Sequence, residues 1–304
     1  MNSLLDAQQT ADRLPWLELV NEIARLLKDD SVHVPPRLVQ ALPGGGSLFV
    51  MPAHDSRVAI TKLITFTPGN ATSHTPTIQG DVVVFKVASG ARALVLDGPT
   101  VTARRTAAVS VLAAQRLAPN TQGPLLIVGA GVQGKAHMEA FAAVLKVREV
   151  LIASRSTHNI ASAQSLVLQA QAMGLTARVV IDANAALAEC SMAVTCTPAS
   201  AVVLTALPRK DVFISAVGAF TPKMLELSPD LCRYLAARGS VFVDTADASH
   251  EAGDLLQAGL DVGGFATLQD VMRKNIKKPA GPVLFKSCGW AGWDLAAARV
   301  ALPV

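Results

Sequence analysis

Leu125-Leu126-Ile127-Val128-Gly129-Ala130-Gly131-Val132-Gln133-Gly134-Lys135-Ala136-His137 decides the fold of this chain. Its four leading apolar residues read as a strand buried on both faces. The glycines that follow are spaced GxGxxG, and a helix is predicted over Lys135–Leu145. A second apolar strand, EVLIAS at 149–154, comes at the distance a strand–helix–strand unit requires. In such a unit Gly129 permits the tight turn, Gly131 lets a pyrophosphate approach the backbone, and Gly134 lets helix and sheet pack closely. The helix N-terminus offers unpaired N–H groups and the positive end of its dipole to the phosphates. Gly129, Ala130, Gly131, Val132 and Gln133 are therefore the candidate dinucleotide contacts. A glycine-rich turn without a ligand is the competing explanation; the strand and helix around the motif favour the nucleotide.

Further apolar runs follow at ARVVI (177–181), MAVTCT (192–197), VFISAV (212–217) and VFVDT (241–245). Six such strands alternating with helical stretches predict an α/β fold with a doubly wound parallel Rossmann sheet. Upstream the texture differs. Residues 3–29 read as a helix, with Leu14, Leu17, Val20, Ile23, Ala24 and Leu27 at helical spacing. After Val34-Pro35-Pro36 the period shortens: Ser47–Pro52, Arg57–Phe66 and Thr77–Val87 alternate or are β-branched, and Ser89-Gly90 marks a hairpin. A largely antiparallel sheet is expected there, followed by a helix over Thr100–Leu117 and a first boundary near 118–123. The tail, Phe285–Leu302, reads as a final amphipathic helix.

The chain has 304 residues, 51% hydrophobic and 16% charged, which excludes a disordered protein or a coiled coil. Its net charge of +4 is scattered, and with one Tyr and three Trp there is little on which to stack bases, so nucleic acid is not expected as a partner. Mean hydropathy is +0.38, yet no uncharged apolar run is long enough to span a bilayer, and no membrane association is expected. The N-terminus lacks the pattern of a signal peptide. Cys190, Cys196, Cys232 and Cys288 form no CxxC pair, and the six histidines show no ligand spacing. A cytoplasmic protein without a metal is expected.

The second Rossmann strand bears on which nucleotide binds. An NAD site usually carries a carboxylate at that strand's end, on the ribose 2′-OH. Here Ser154-Arg155-Ser156-Thr157 stands instead. Arg155 is suited to a 2′-phosphate, with Ser154 and Ser156 as hydrogen-bond donors, so NADPH is favoured and NADH admitted. Cations also fall among apolar positions of the N-terminal region: Arg37, Lys62 and Arg104-Arg105. Charges so placed are costly unless paired, so they indicate an anionic ligand or a buried ion pair, and the residues alone leave both open. Thr77 and Gln79 fit either a polar strand face or a ligand contact.

The chain resembles the ornithine cyclodeaminase/mu-crystallin family. The matching stretches are PPR (35–37), FVMPA (49–53), the Lys62 strand, LVLDGPTVTARRTAAVSVLAA (94–114) and VGAGVQGKAH (128–137). VTCTPA (194–199), VGAFTP (217–222), AGDLL (252–256) and LFKSCGWAGWDLAAA (284–298) continue the likeness in order. The resemblance implies a homodimer with a discontinuous substrate and dimerisation domain, 1–118 plus 285–304. The dinucleotide domain, 119–284, is inserted in it, and the active site lies in the cleft. It implies that Arg37 and Arg105 hold a substrate carboxylate, that Lys62 stands beside the reacting carbon as the catalytic residue, and that Thr106 reaches the cofactor. Thr77 is a further candidate substrate contact, and Thr195, Thr197 and Gly218, at the ends of two of the apolar strands, are further candidate cofactor contacts.

Family members use related chemistry for different ends: cyclisation of ornithine, reduction of cyclic imines, amination of pyruvate, or hormone binding. This chain departs from the cyclodeaminases twice. Phe220 occupies the place of their loop Asp, and Ser154-Arg155 that of an acidic strand end. Both departures point to reduction of Δ1-pyrroline-2-carboxylate or Δ1-piperideine-2-carboxylate, a small-molecule carboxylate in either case, to proline or pipecolate with NAD(P)H. The alternatives are an ornithine cyclodeaminase, an alanine-dehydrogenase-like enzyme and a non-catalytic NADPH-dependent binding protein.

Overall fold

The computed structural model describes residues 4–72, 75–154 and 160–302. The expected helix over 3–29 is two helices, α1 (Ala7–Asp12) and α2 (Trp16–Leu26). Pro15 divides them, because it lacks an N–H and excludes helical conformation from the residue before it. Asp6 and Gln9 form a capping box on α1. The buried stripe of α2 is Leu19, Val20, Ile23 and Leu26, whereas Leu17, expected inside, is exposed.

Five antiparallel strands follow: β1 (Leu38–Ala41), β2 (Ser47–His54), β3 (Val58–Phe66), β4 (Ile78–Lys86) and β5 (Arg92–Asp97), in sheet order β1-β2-β3-β4-β5. Gly90, at φ +65°, closes the β4–β5 hairpin by donating its N–H to the Lys86 carbonyl at 2.9 Å. Asp97 accepts from the Thr100 N–H at 2.8 Å and starts α3 (Gly98–Leu117).

From α3 onward the elements are β6 (Leu125–Val128), α4 (Val132–Leu145), β7 (Glu149–Ala153), α5 (Ile160–Ala172), β8 (Thr176–Val180) and α6 (Ala183–Leu187). Then come β9 (Met192–Thr195), β10 (Phe213–Ala216), α7 (Pro229–Arg238), β11 (Ser240–Val243), α8 (Ala248–Glu251) and α9 (Gly253–Gln257). The last are β12 (Ala266–Thr267), α10 (Leu268–Arg273), β13 (Val283–Lys286) and α11 (Ala291–Ala301). The strands from β6 on form one parallel sheet, ordered β12-β11-β13-β10-β9-β6-β7-β8. Its first five strands in chain order run 3-2-1-4-5, the doubly wound arrangement. The six expected strands are all present. Two more, β12 and β13, were not expected. Phe285, expected in the terminal helix, lies in β13, whose four residues are all buried between β10 and β11.

The chain divides into two compact units, residues 1–105 with 290–304, and residues 106–289. The division falls between Arg105 and Thr106, inside α3. α11 belongs to the first unit, where it packs on α2, β2 and β3. It is buried on nearly every side rather than amphipathic. Arg299 anchors it with ion pairs to Asp55 at 2.5 Å, Asp29 at 2.6 Å and Glu22 at 3.2 Å. Among the described residues no helix is long and apolar enough to cross a membrane.

Candidate active site

Strand β3 alternates, and its inward positions are Val58, Ile60, Lys62 and Ile64. A lysine therefore occupies a place the pleat gives to an apolar side chain. It is flanked across the ladder by Met51 and Val82, both buried, and is itself 1% exposed. An isolated ammonium there would be costly. Asp294 of α11, wholly buried, supplies the opposite charge: its Oδ2 is 2.8 Å from Lys62 Nζ and its Oδ1 is 3.2 Å from Arg105 Nε. Burial, opposed by Asp294 and reinforced by the charges of Arg105 and Arg37, lowers the Lys62 pKa to about 8. Two cationic side chains thus share one carboxylate, and with Arg37 near enough to act on the lysine they leave an excess of positive charge suited to a substrate anion.

Arg37 is half-buried just ahead of β1. Thr77 stands apart from the cluster: Val82 lies opposite Lys62, while Thr77 precedes β4 and accepts from the Thr67 N–H through its carbonyl at 2.8 Å. Of the sequence's substrate-side candidates, the structure brings together Lys62 and Arg105, with Arg37 near enough to act on the lysine. It does not bring Thr77 to them.

In the second unit the GxGxxG turn has the shape its glycines predict. Gly129 has φ +120°, and a Cβ there would lie 2.7 Å from the Cys196 carbonyl oxygen. A Cβ on Gly134 would collide with the Gly129 carbonyl, whereas one on Gly131 would meet open space. Gly131 is the N-cap of α4 and offers no side-chain cap, so the first-turn N–H groups keep their capacity to donate. Ala130 and Val132 line an open hollow of about 480 Å³ with Lys135, Ser162 and Gln169. Gln133 Oε1 and Ser154 Oγ are buried without a hydrogen-bond partner among the described residues. Open space at Gly131, an uncapped helix and two orphaned polar atoms fit a bound dinucleotide. Arg155 and Ser156 lie outside the described residues.

His137 fixes the start of α4. Its Nδ1 donates to the Gln133 carbonyl at 2.7 Å, so its Nε2 accepts from Ser110 Oγ at 2.9 Å, and Ser215 Oγ donates to Ser110 at 2.9 Å. Burial holds this imidazole neutral, with its pKa lowered to about 4.

Thr195, Thr197 and Gly218, expected on the cofactor side, share one partner. Glu226 accepts from Thr195 Oγ1 at 2.8 Å and the Gly218 N–H at 2.7 Å on Oε2. On Oε1 it accepts from the Thr197 N–H at 2.7 Å and Thr197 Oγ1 at 2.8 Å. Thr106 is nearly buried and follows Arg105 directly on α3. Phe220 packs against the core of this unit.

Sequence reasoning did not assign Asp294 or Glu226 to the site. Asp294 carried a signal, being an acid within an Ala-rich apolar helix where only a buried counter-charge would retain it. Glu226 follows Met224-Leu225 in an irregular segment without periodicity, and nothing local marks it.

A doubly wound parallel sheet with an uncapped glycine turn, in one chain with an antiparallel sheet that buries a cation cluster, defines a class of nucleotide-dependent two-unit proteins. Within that class the chain belongs to the ornithine cyclodeaminase/mu-crystallin family, which residues 6–302 match. It is 36% identical to Delta(1)-pyrroline-2-carboxylate reductase 2 of Burkholderia ambifaria over 97% of this chain and 94% of that protein. It is also 36% identical to the Delta(1)-pyrroline-2-carboxylate/Delta(1)-piperideine-2-carboxylate reductase of Azospirillum brasilense, covering 98% and 94%. The fold is shared with the Thermococcus litoralis Delta(1)-pyrroline-2-carboxylate reductase, solved with NADH and L-proline, at TM-score 0.88 and 22% identity over 99% of this chain and 96% of that one.

Proposed function

We propose that this protein is an NAD(P)H-dependent reductase of cyclic 2-imino acids, taking Δ1-pyrroline-2-carboxylate or Δ1-piperideine-2-carboxylate to proline or pipecolate. The observation that carries the reading is the buried Lys62–Asp294–Arg105 cluster, an anion-receiving site with an amine whose pKa is about 8. The reductase relatives act on substrates of this kind.

Arg105 and Arg37 hold the carboxylate by charge-assisted hydrogen bonds and so fix the ring. Lys62 faces the imine nitrogen and gives it a proton as the imine becomes an amine; a pKa near the working pH lets it regain that proton readily. Asp294 keeps the ammonium aimed and partly neutralised. The glycine turn, the α4 N-terminus and Gln133 hold the dinucleotide, with Thr106, Thr195, Thr197 and Gly218 on its nicotinamide side. When bound, the reduced nicotinamide supplies the hydride taken up by the imine carbon. Ser154, Arg155 and Ser156, read from the sequence alone, favour NADPH. Thr77, apart from the cluster, is left no contact with the carboxylate in this scheme.

Ornithine cyclisation needs a carboxylate to take a proton from the distal amine, and Phe220 cannot serve. Glu226 is committed to its four donors, and Asp230 is exposed and paired with Arg233 at 2.6 Å. Imine reduction is therefore preferred to cyclodeamination. A homodimer belongs to the same proposal; exposed Leu38 and Leu63, aligned across Val50 on the sheet face opposite Lys62, support an apolar interface. So does a reducing cytoplasm, which suits four free cysteines. The test is a spectrophotometric panel following NADPH and NADH with both imines, with pyruvate plus ammonia, and with ornithine and NAD. Turnover with either imine supports the reading, and its absence with both overturns it.

A further inference from the structure

We infer that Glu226 is a positioning residue for the nucleotide site: it sets the strand ends against which the dinucleotide lies, without touching the ligand. This rests on the nucleotide-dependent reading above. Glu226 gathers donors from the carboxyl ends of two adjacent parallel strands, Thr195 and Thr197 at β9 and Gly218 at β10. In a doubly wound sheet such ends form the ligand crevice. The segment it holds is also the one that abuts the glycine turn, since Cys196 Sγ donates to the Gly129 carbonyl at 3.3 Å. A Cβ on Gly218 would collide with Glu226 itself, so this loop closes down on the carboxylate.

A buried carboxylate is costly, and this one is supported from behind. The Glu226 and Leu227 N–H groups donate to Asp254 Oδ1 at 2.5 and 2.9 Å, and Asp254 Oδ2 pairs with Lys286 Nζ at 2.9 Å. Lys286 in turn donates to the carbonyls of Ala216 and Ala219, on either side of Gly218. Glu226, Asp254 and Lys286 are all buried. Because the Thr195 and Thr197 hydroxyls spend their protons on Glu226, they act on a ligand through the shape they keep. A carboxylate accepts at both oxygens; an amide offers one oxygen and turns an NH₂ toward a backbone N–H at the other. Glu226→Gln therefore releases one of the two strand ends.

The experiment titrates NADPH into the full chain as parent, E226Q, T195V, T197V and the E226Q/T197V double variant, with thermal unfolding of each. E226Q is expected to weaken NADPH about tenfold or more, with the KM for the imine little changed. T197V is expected to weaken it by less, and its loss to be less than additive with that of E226Q, because both act through the same carboxylate. If E226Q does not fold, T195V carries the test, and a lowered NADPH affinity in a folded protein supports the inference. Parent-like NADPH affinity in folded E226Q, or in folded T195V, overturns it. So do fully additive losses in the double variant, which would make Thr197 a direct contact. A parent that binds neither nucleotide overturns the underlying reading and this inference together.

Discussion

Lys62 Nζ and Asp294 Oδ2 stand 2.8 Å apart with both side chains out of solvent, one on the middle strand of the antiparallel sheet and the other on the C-terminal helix. The carboxylate raises a lysine pKa that burial and two arginines push down, and the balance lies at about 8. Removing the carboxylate while keeping its shape, as in Asp294→Asn, leaves only the lowering influences. The alkaline limb of imine reduction, expected near pH 8 in the parent, should move to lower pH in D294N. Loss of one partner of a buried pair should also cost about 3–5 kcal/mol in urea unfolding. A pH–rate profile that superimposes on the parent's would show that Lys62 is not the titrating donor.

Arg105 shares Asp294 with Lys62, at 3.2 Å. Arg105→Ala should raise the KM for the imino acid roughly 10- to 150-fold, the worth of a charge-assisted hydrogen bond of about 1.5–3 kcal/mol. It also removes a positive neighbour and frees Asp294 for Lys62, so the alkaline limb should rise, opposite to D294N. Steady-state kinetics across pH checks both; a folded R105A with parental KM removes Arg105 from the site.

The glycine turn, the parallel strands and the cation on β3 were all legible, because each is a local departure from what its element would otherwise hold. A glycine at every GxGxxG position and a lysine at an inward strand position are visible without a partner. What was missed depends on distance along the chain. β13 follows Pro282 and ends on Lys286, and nothing nearby says that it inserts between β10 and β11. Asp294 and Glu226 acquire their roles from groups that tertiary structure brings to them. The break at Pro15 was readable, but the apolar periodicity through it suggested one helix.

NADPH should bind more tightly than NADH, because Arg155 follows a strand end that lacks the carboxylate of an NAD site. Arg155→Asp should weaken NADPH and favour NADH relatively. Fluorescence titration of both nucleotides with both proteins decides this. Equal affinities in the parent, or a preference for NADH, would contradict the reading of that strand end.

His137 is neutral when folded, its pKa lowered from 6.5 to about 4. The unfolded chain binds a proton there below pH 6.5 and the folded chain does not, so stability is complete above that pH and is lost as pH falls toward 4. The loss should approach about 3 kcal/mol. Urea midpoints between pH 7 and 4 should fall more steeply in the parent than in His137→Gln. Parallel slopes would mean that His137 is protonated in the folded state.

The most direct test of imine reduction follows the hydrogen itself. NADPH deuterated at the transferring position of the nicotinamide is incubated with the protein and Δ1-pyrroline-2-carboxylate, and the product is read by mass spectrometry and NMR. The account predicts proline with deuterium on the carbon that bears the carboxylate, formed in step with oxidised nucleotide. Unlabelled proline, or no proline from the imine beside ammonia release from ornithine, would contradict it.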